Sequence, residues 1–146
     1  MSLVWIDRMA VDVRGDGDAV VFIHGLGGSL NAWTPLLPAL PRSRLVRMDL
    51  PGAGRSHKAY ALGEATPHGG RISVATHADA VRRVCESQGI TRAHVIGHSF
   101  GTIIAQHLAA ETPALVRSLA LFGALAYRFD AMTSLRPYRD RLSSDE

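Results

Sequence analysis

The stretch Gly97-His98-Ser99-Phe100-Gly101 restricts what this chain can fold into more than any other, because the hydrophobic pattern changes its period across it. Ala93 to Ile96 reads as a short strand, whereas Phe100 to Glu111 carries Ile103, Ile104, His107 and Leu108 at helical spacing, with Pro113 just past the helix end. A serine between a strand and a helix stands on a sharp turn that lifts its oxygen above the edge of a sheet. The two glycines let crowded backbone pass without a Cβ. A serine hydroxyl attacks a carbonyl carbon only when it is exposed, beside a base and beside donors for the oxyanion that forms. The first helical turn brings free N–H groups and a positive dipole end to that place, and the Phe100 N–H is the natural first donor. Ser99 is therefore the expected nucleophile, in an elbow shaped by Gly97, His98 and Gly101.

The remaining segments alternate between strand and helix patterns. Met9 to Val13 alternates at period two, Asp16-Gly17-Asp18 supplies a turn, and Ala19 to Ile23 is an apolar run that reads as a strand buried on both faces. Gly25, Gly27 and Gly28 end that strand, and Leu30, Trp33, Leu36, Leu37 and Leu40 follow at helical spacing, with Thr34-Pro35 expected as cap and first turn. Arg44 to Met48 is the next strand, stopped after Asp49 by Pro51, Gly52 and Gly54. Residues 57–72, with Pro67, Gly69 and Gly70, form a long polar connection expected to rim a substrate entrance. Val74, Ala78, Val81, Val84 and Cys85 mark one face of an amphipathic helix closing at Gly89, and Arg117 to Phe122 is the last strand. The β-then-α order predicts an α/β fold, a mostly parallel sheet with helices on both faces. It forms a single domain over residues 1–146, with its core at 9–125 and the start of a cap or linker helix at 126–146.

Three blocks make the chain resemble the α/β-hydrolase family, in particular its small serine esterases, lactonases and related acyl hydrolases. They are His24-Gly25-Leu26-Gly27-Gly28 after one strand, Asp49-Leu50-Pro51-Gly52-Ala53-Gly54-Arg55-Ser56 after the next, and the serine elbow. The resemblance implies that His24 and Gly25 belong to the oxyanion loop, that the Leu26 N–H is the second donor, and that the Asp49 block shapes the loop beside the site. It also implies hydrolysis of an ester, thioester, lactone or carbon–carbon bond in a small acyl substrate, without cofactor or metal. The family's haloalkane dehalogenases and epoxide hydrolases carry an aspartate where Ser99 stands, which disfavours those reactions.

In that family the triad runs serine, acid, histidine along the chain, and the one histidine after Ser99 is His107. It lies about 12 Å along the helix axis from the elbow, against a hydrogen-bond reach of about 3 Å, and is expected as a packed or hydrated helix-face residue. His98 faces the wrong way by its position in the turn. Asp130 is a weak candidate for the acid, with a surface aspartate opening a cap helix as its alternative. Family members run to roughly twice this length, although one domain of this size is ordinary. The chain therefore reads as truncated before the cap and final strands, and as close to inactive alone. It leaves Leu119 to Phe122 as an uncovered strand edge open to self-association.

Other classes fit less well. A Rossmann-type dinucleotide-binding domain would use the strand at 19–23, the glycine loop, the strand at 44–48 and Asp49 as the ribose-binding acid. It would leave Leu30 where a third glycine or alanine should pack, and the elbow without a purpose. A noncatalytic interaction module is the other alternative, favoured by the missing triad histidine. The net charge of +3 comes from basic residues interspersed with acidic ones, without the basic stripe of a nucleic-acid binder. His57, His68 and His77 lack metal-ligand spacing and are expected at the surface. The stretch from Gly52 to Ser56 lacks the lysine of a phosphate-binding loop and reads as a turn. Cys85, the single cysteine, is expected to pack in the core. No run reaches the ~20 apolar residues that span a bilayer, and the N-terminus lacks a basic leader, so the expected location is cytoplasmic with no membrane partner.

Overall fold

The computed structural model describes residues 3–57 and 72–125, and among them six strands form one sheet. They are β1 (Leu3–Ile6), β2 (Met9–Arg14), β3 (Asp18–Ile23), β4 (Ser43–Met48), β5 (Ala93–His98) and β6 (Val116–Phe122), arranged in the order β1-β2-β4-β3-β5-β6. β3 pairs in parallel with β4 and β5, and β5 pairs in parallel with β6. β1 and β2 form an antiparallel hairpin whose second strand also runs antiparallel to β4. The sheet is thus mixed, with a parallel block of four strands that carries the elbow. The hairpin turns at Asp7 and Arg8, at φ 48° and 65°, the left-handed pair that matches the twist of adjoining strands. β1 has no counterpart in the sequence reading, because Leu3 to Ile6 shows no polar alternation. The expected cap helix at 126–146, Asp130 within it, and most of the connection at 57–72 lie outside the described residues.

Alternation along β3 divides the core. Val21 and Ile23 face α1 (Val74–Ser87) and α2 (Phe100–Glu111) within the larger cluster, whereas Val20 and Phe22 face the other way. There a 3-10 helix, Leu30–Ala39, places the Trp33 ring 5.2 Å from that of Phe22. Both faces of the central strand are covered, as the apolar run at 19–23 predicts. Each large side chain so buried contributes about 1.5–3 kcal/mol relative to exposure.

The 3-10 helix differs from expectation at its start. It begins at Leu30 rather than at Thr34-Pro35, capped by the Ser29 side chain, which accepts from the Asn31 N–H at 3.3 Å. Pro35 and Pro38 inside it supply no N–H for a regular α-helical ladder, consistent with the tighter winding. Thr34 instead offers its hydroxyl to the Arg47 guanidinium at 2.7 Å. Arg47 also donates to the Leu30 carbonyl at 3.0 Å and to the Asp12 carboxylate, directly opposite on β2, at 2.7 Å. This buried ion pair fastens the 3-10 helix to the sheet.

α1 opens with a capping box between Ser73 and Thr76 and is followed by Gly89 at φ 65°, which only glycine adopts freely. Cys85 packs in the core, and burial pushes its thiol up to about 12. His77 is not at the surface as expected: it is buried on the inner face of α1. Its place beside Val74, Ala78, Val81 and Val84 follows the helical period, which outweighs its polarity. No helix among the described residues is long and apolar enough to cross a membrane.

Candidate active site

Ser99 stands between β5 and α2 at φ 51°, ψ −120°, a left-handed conformation that costs a non-glycine residue on the order of 1–3 kcal/mol. The glycines around it make that turn possible. A Cβ on Gly97 would lie 2.6 Å from the Gly101 carbonyl oxygen, and one on Gly101 would lie 2.2 Å from that of Ile23 and 2.7 Å from that of His24. α2 therefore starts directly on the end of β3, closer than any side chain allows.

The loop after β3 reaches the serine through a third glycine. A Cβ on Gly25 would lie 3.1 Å from the Ser99 Cβ and 3.2 Å from the His98 carbonyl oxygen. The Gly25 carbonyl accepts from the Gly28 N–H at 3.1 Å and from His24 Nδ1 at 2.7 Å. Because His24 Nε2 accepts the Leu50 N–H at 3.0 Å, the ring is the Nδ1–H tautomer with both nitrogens committed. Burial holds its pKa below 6.5, against the opposing pull of the Gly25 carbonyl and Asp49. His24 is a brace between two loops and has no lone pair left for a proton from Ser99.

Asp49 is a second brace. Fully buried, its carboxylate accepts from the Leu30 N–H at 2.7 Å and the Arg55 N–H at 2.8 Å, with the Arg55 guanidinium 3.4 Å away. Its backbone carbonyl takes the Ser56 hydroxyl at 2.7 Å, and that hydroxyl takes the Ala10 N–H at 2.9 Å. An acid engaged in this way and fully buried is closed to a ribose, which removes the dinucleotide-binding reading.

The other sequence candidates fall as follows. Leu26 is 58% exposed at the loop tip, and the Phe100 side chain is buried beneath the elbow. His98 is exposed and lines an apolar cavity of about 440 Å³ with Ala32, Trp33, Pro35, Leu36 and Phe122. His107 lies along α2 in the groove against α1, with Asp79, Arg82 and Glu111, away from the elbow. The structure brings Ser99, Gly25 and His24 together and leaves His107 apart. It also adds Thr102, unremarkable in the sequence, whose N–H and hydroxyl both donate to the Ser99 carbonyl, at 2.8 and 2.6 Å.

The sequence profile of the α/β hydrolase fold matches residues 18–140, most of the chain. The chain belongs to the α/β-hydrolase fold family. It is 36% identical over 121 residues to the dihydrolipoyllysine-residue acetyltransferase component of the acetoin cleaving system of Cupriavidus necator, covering 82% of this chain and 30% of that protein. It is also 36% identical over 111 residues to a Variovorax paradoxus protein provisionally named carbamate hydrolase RutD, covering 75% of this chain and 39% of that protein. The α/β-hydrolase fold is equally plain in a solved hydrolase from Pseudomonas aeruginosa, with a TM-score of 0.72 at 23% identity over 98% of this chain and 51% of that one. The chain spans about a third of the length of the curated relatives it matches.

Proposed function

We propose that this α/β-hydrolase-fold chain carries the nucleophile and oxyanion half of an acyl hydrolase acting on an ester, thioester or lactone. The observation that carries the reading is Ser99 held at φ 51° with Gly25 packed against its Cβ. Strain of that kind persists where the surroundings over-determine it, which is characteristic of catalytic turns. The Phe100 N–H, in the unsatisfied first turn of α2, and the Leu26 N–H are the donors for the oxyanion. The apolar cavity beside His98 and Phe122 suits an uncharged hydrocarbon group next to the carbonyl. The names of the two relatives carry an acetyl group and a carbamate, both built on a carbonyl carbon.

Attack by Ser99 requires a base. His24 is committed on both nitrogens, and His107, the one histidine after the elbow in these 146 residues, lies down α2. Loss of a triad histidine lowers turnover on the order of a millionfold, so the 146-residue polypeptide assayed by itself is close to inactive. Imidazole in the buffer substitutes for the base in solution. With p-nitrophenyl acetate, imidazole is expected to raise the rate above that of imidazole and ester without protein and to leave an acetyl group on Ser99, detected by peptide mass, and Ser99→Ala is expected to abolish both this excess rate and the acetylation. Acetylation that survives Ser99→Ala, or fast turnover without imidazole, overturns this reading in its nucleophile or its missing base respectively.

A further inference from the structure

The cavity beside the elbow draws one of its walls from an element that takes no part in the chemistry. It measures about 440 Å³ and is lined, among the described residues, by Ala32, Trp33, Pro35 and Leu36 of the 3-10 helix and by His98 and Phe122 of β5 and β6. Its near end is at the nucleophile: His98 precedes Ser99 in the chain, and the Phe122 carbonyl takes the Ser99 N–H at 2.9 Å. Its far wall stands over β3, because Trp33 packs on Phe22 with ring centroids 5.2 Å apart, and Phe22 pairs with Ile96 of β5. From β3 through β5 to β6 are two strand spacings, about 10 Å. That width matches a hydrocarbon chain of medium length and exceeds an acetyl group.

The far wall is fixed in place. Trp33 is 7% exposed, and Arg47 holds the next residue, Thr34, by its hydroxyl at 2.7 Å and the Leu30 carbonyl at 3.0 Å. Arg47 is in turn paired with Asp12 at 2.7 Å, so the wall is tied to the sheet through a buried ion pair. Phe122, 53% exposed, stands at the mouth, which opens to water. Five of the six lining side chains are aliphatic or aromatic, and none carries a fixed charge. A charged group placed there goes uncompensated, whereas each methylene removed from water gains about fourfold in binding.

We propose that this cavity is the acyl-chain subsite and that Ala32, Trp33 and Leu36 set the length it takes, which selects uncharged acyl groups of medium chain length. The inference rests on Ser99 being the acyl-accepting nucleophile. The acyl group stays bonded to Ser99 after the leaving group has departed, so a wall one chain length from the serine acts on it through the whole reaction. The 3-10 helix is then a specificity element, and its residues change which ester reacts.

The test is a series of p-nitrophenyl esters, acetate, butyrate, hexanoate and octanoate, acylating the 146-residue chain at fixed imidazole. Each rate is corrected for imidazole and ester without protein, and each adduct is located by peptide mass. In every case the bond from Ser99 Oγ to the acyl carbon forms, the ester C–O bond breaks with p-nitrophenolate leaving, and the hydroxyl proton passes to imidazole. The second-order rate constant is expected to rise about fourfold per methylene as far as hexanoate and to level off at octanoate. Ala32→Phe, at an exposed position of the wall, is expected to lower the hexanoate-to-acetate ratio on the order of tenfold, and Leu36→Ala to make octanoate react faster than hexanoate. The two substitutions move the preferred length in opposite directions, so either decides should the other fail to fold. A wild-type ratio near one, or the same profile in all three proteins, overturns the proposal while acylation of Ser99 stands. Acylation elsewhere than on Ser99 overturns the nucleophile on which the inference rests.

Discussion

The backbone N–H of Ser99 donates to the carbonyl of Phe122 at 2.9 Å, so the elbow is fastened at its base to the end of β6. Its carbonyl is held by Thr102, whose hydroxyl in turn accepts the Leu125 N–H at 3.2 Å. Both polar groups of the strained residue are satisfied by neighbours, which lets the strain survive folding.

That strain has a measurable sign. At most positions alanine is more stable than glycine, because glycine leaves a freer unfolded chain. At position 99 the order is expected to reverse, with Ser99→Gly about 1 kcal/mol more stable than Ser99→Ala. Urea unfolding of the pair checks it, and the ordinary order would show that φ 51° is unstrained.

Acid destabilisation is expected to begin near neutrality. His24 and His77 both have pKa values below 6.5, chiefly through burial. The native state then binds fewer protons than the unfolded chain, so their contribution is full above 6.5 and is lost as pH falls through the folded values. Urea midpoints measured down this range should fall, and the fall should be shallower in His77→Gln, which removes one titrating ring.

The Asp12–Arg47 pair offers a test of buried charge. Both side chains are 2% exposed or less. Arg47→Met leaves Asp12 buried beside the partly exposed Arg14 alone and strips partners from Leu30 and Thr34. A loss of about 3–5 kcal/mol is expected. Adding Asp12→Leu should recover part of it, because two apolar groups leave no buried charge unpaired and Arg14 is partly exposed to water; a double mutant worse than the single would refute that account.

β6 is the outer strand of the parallel block among the described residues, with Leu119 37% and Phe122 53% exposed. Such an edge pairs with other chains. The 146-residue polypeptide is expected to self-associate with rising concentration in sedimentation velocity, and Leu119→Lys to suppress this. Association unchanged by the lysine would place the contact elsewhere.

The elements around the site were legible in the sequence because their signals are local. Gly97 to Gly101 announced a strand-to-helix turn, α2 spans Phe100–Glu111 as its spacing predicts, and Gly89 marks the end of α1. Three features were not legible. Leu3–Ile6 becomes a strand only because β2 is there to pair with it. The helix start moved from Thr34 to Leu30 because Ser29 supplies the cap and Thr34 is taken by Arg47. His77 was misplaced by weighing its polarity over its position on the apolar face of α1.

By itself the sequence determined where each segment changes period and where glycine is required, since the pitch of a helix or strand sets which side chains share a face. Only the tertiary structure decided the fate of the polar groups. It committed both nitrogens of His24, engaged and buried the carboxylate of Asp49 and seated His77 against the Phe100 ring. Their partners come from remote positions, as when Ser56 meets the Ala10 N–H across 46 residues. No local pattern encodes such a pairing, because it arises only when the sheet brings those strands and loops together.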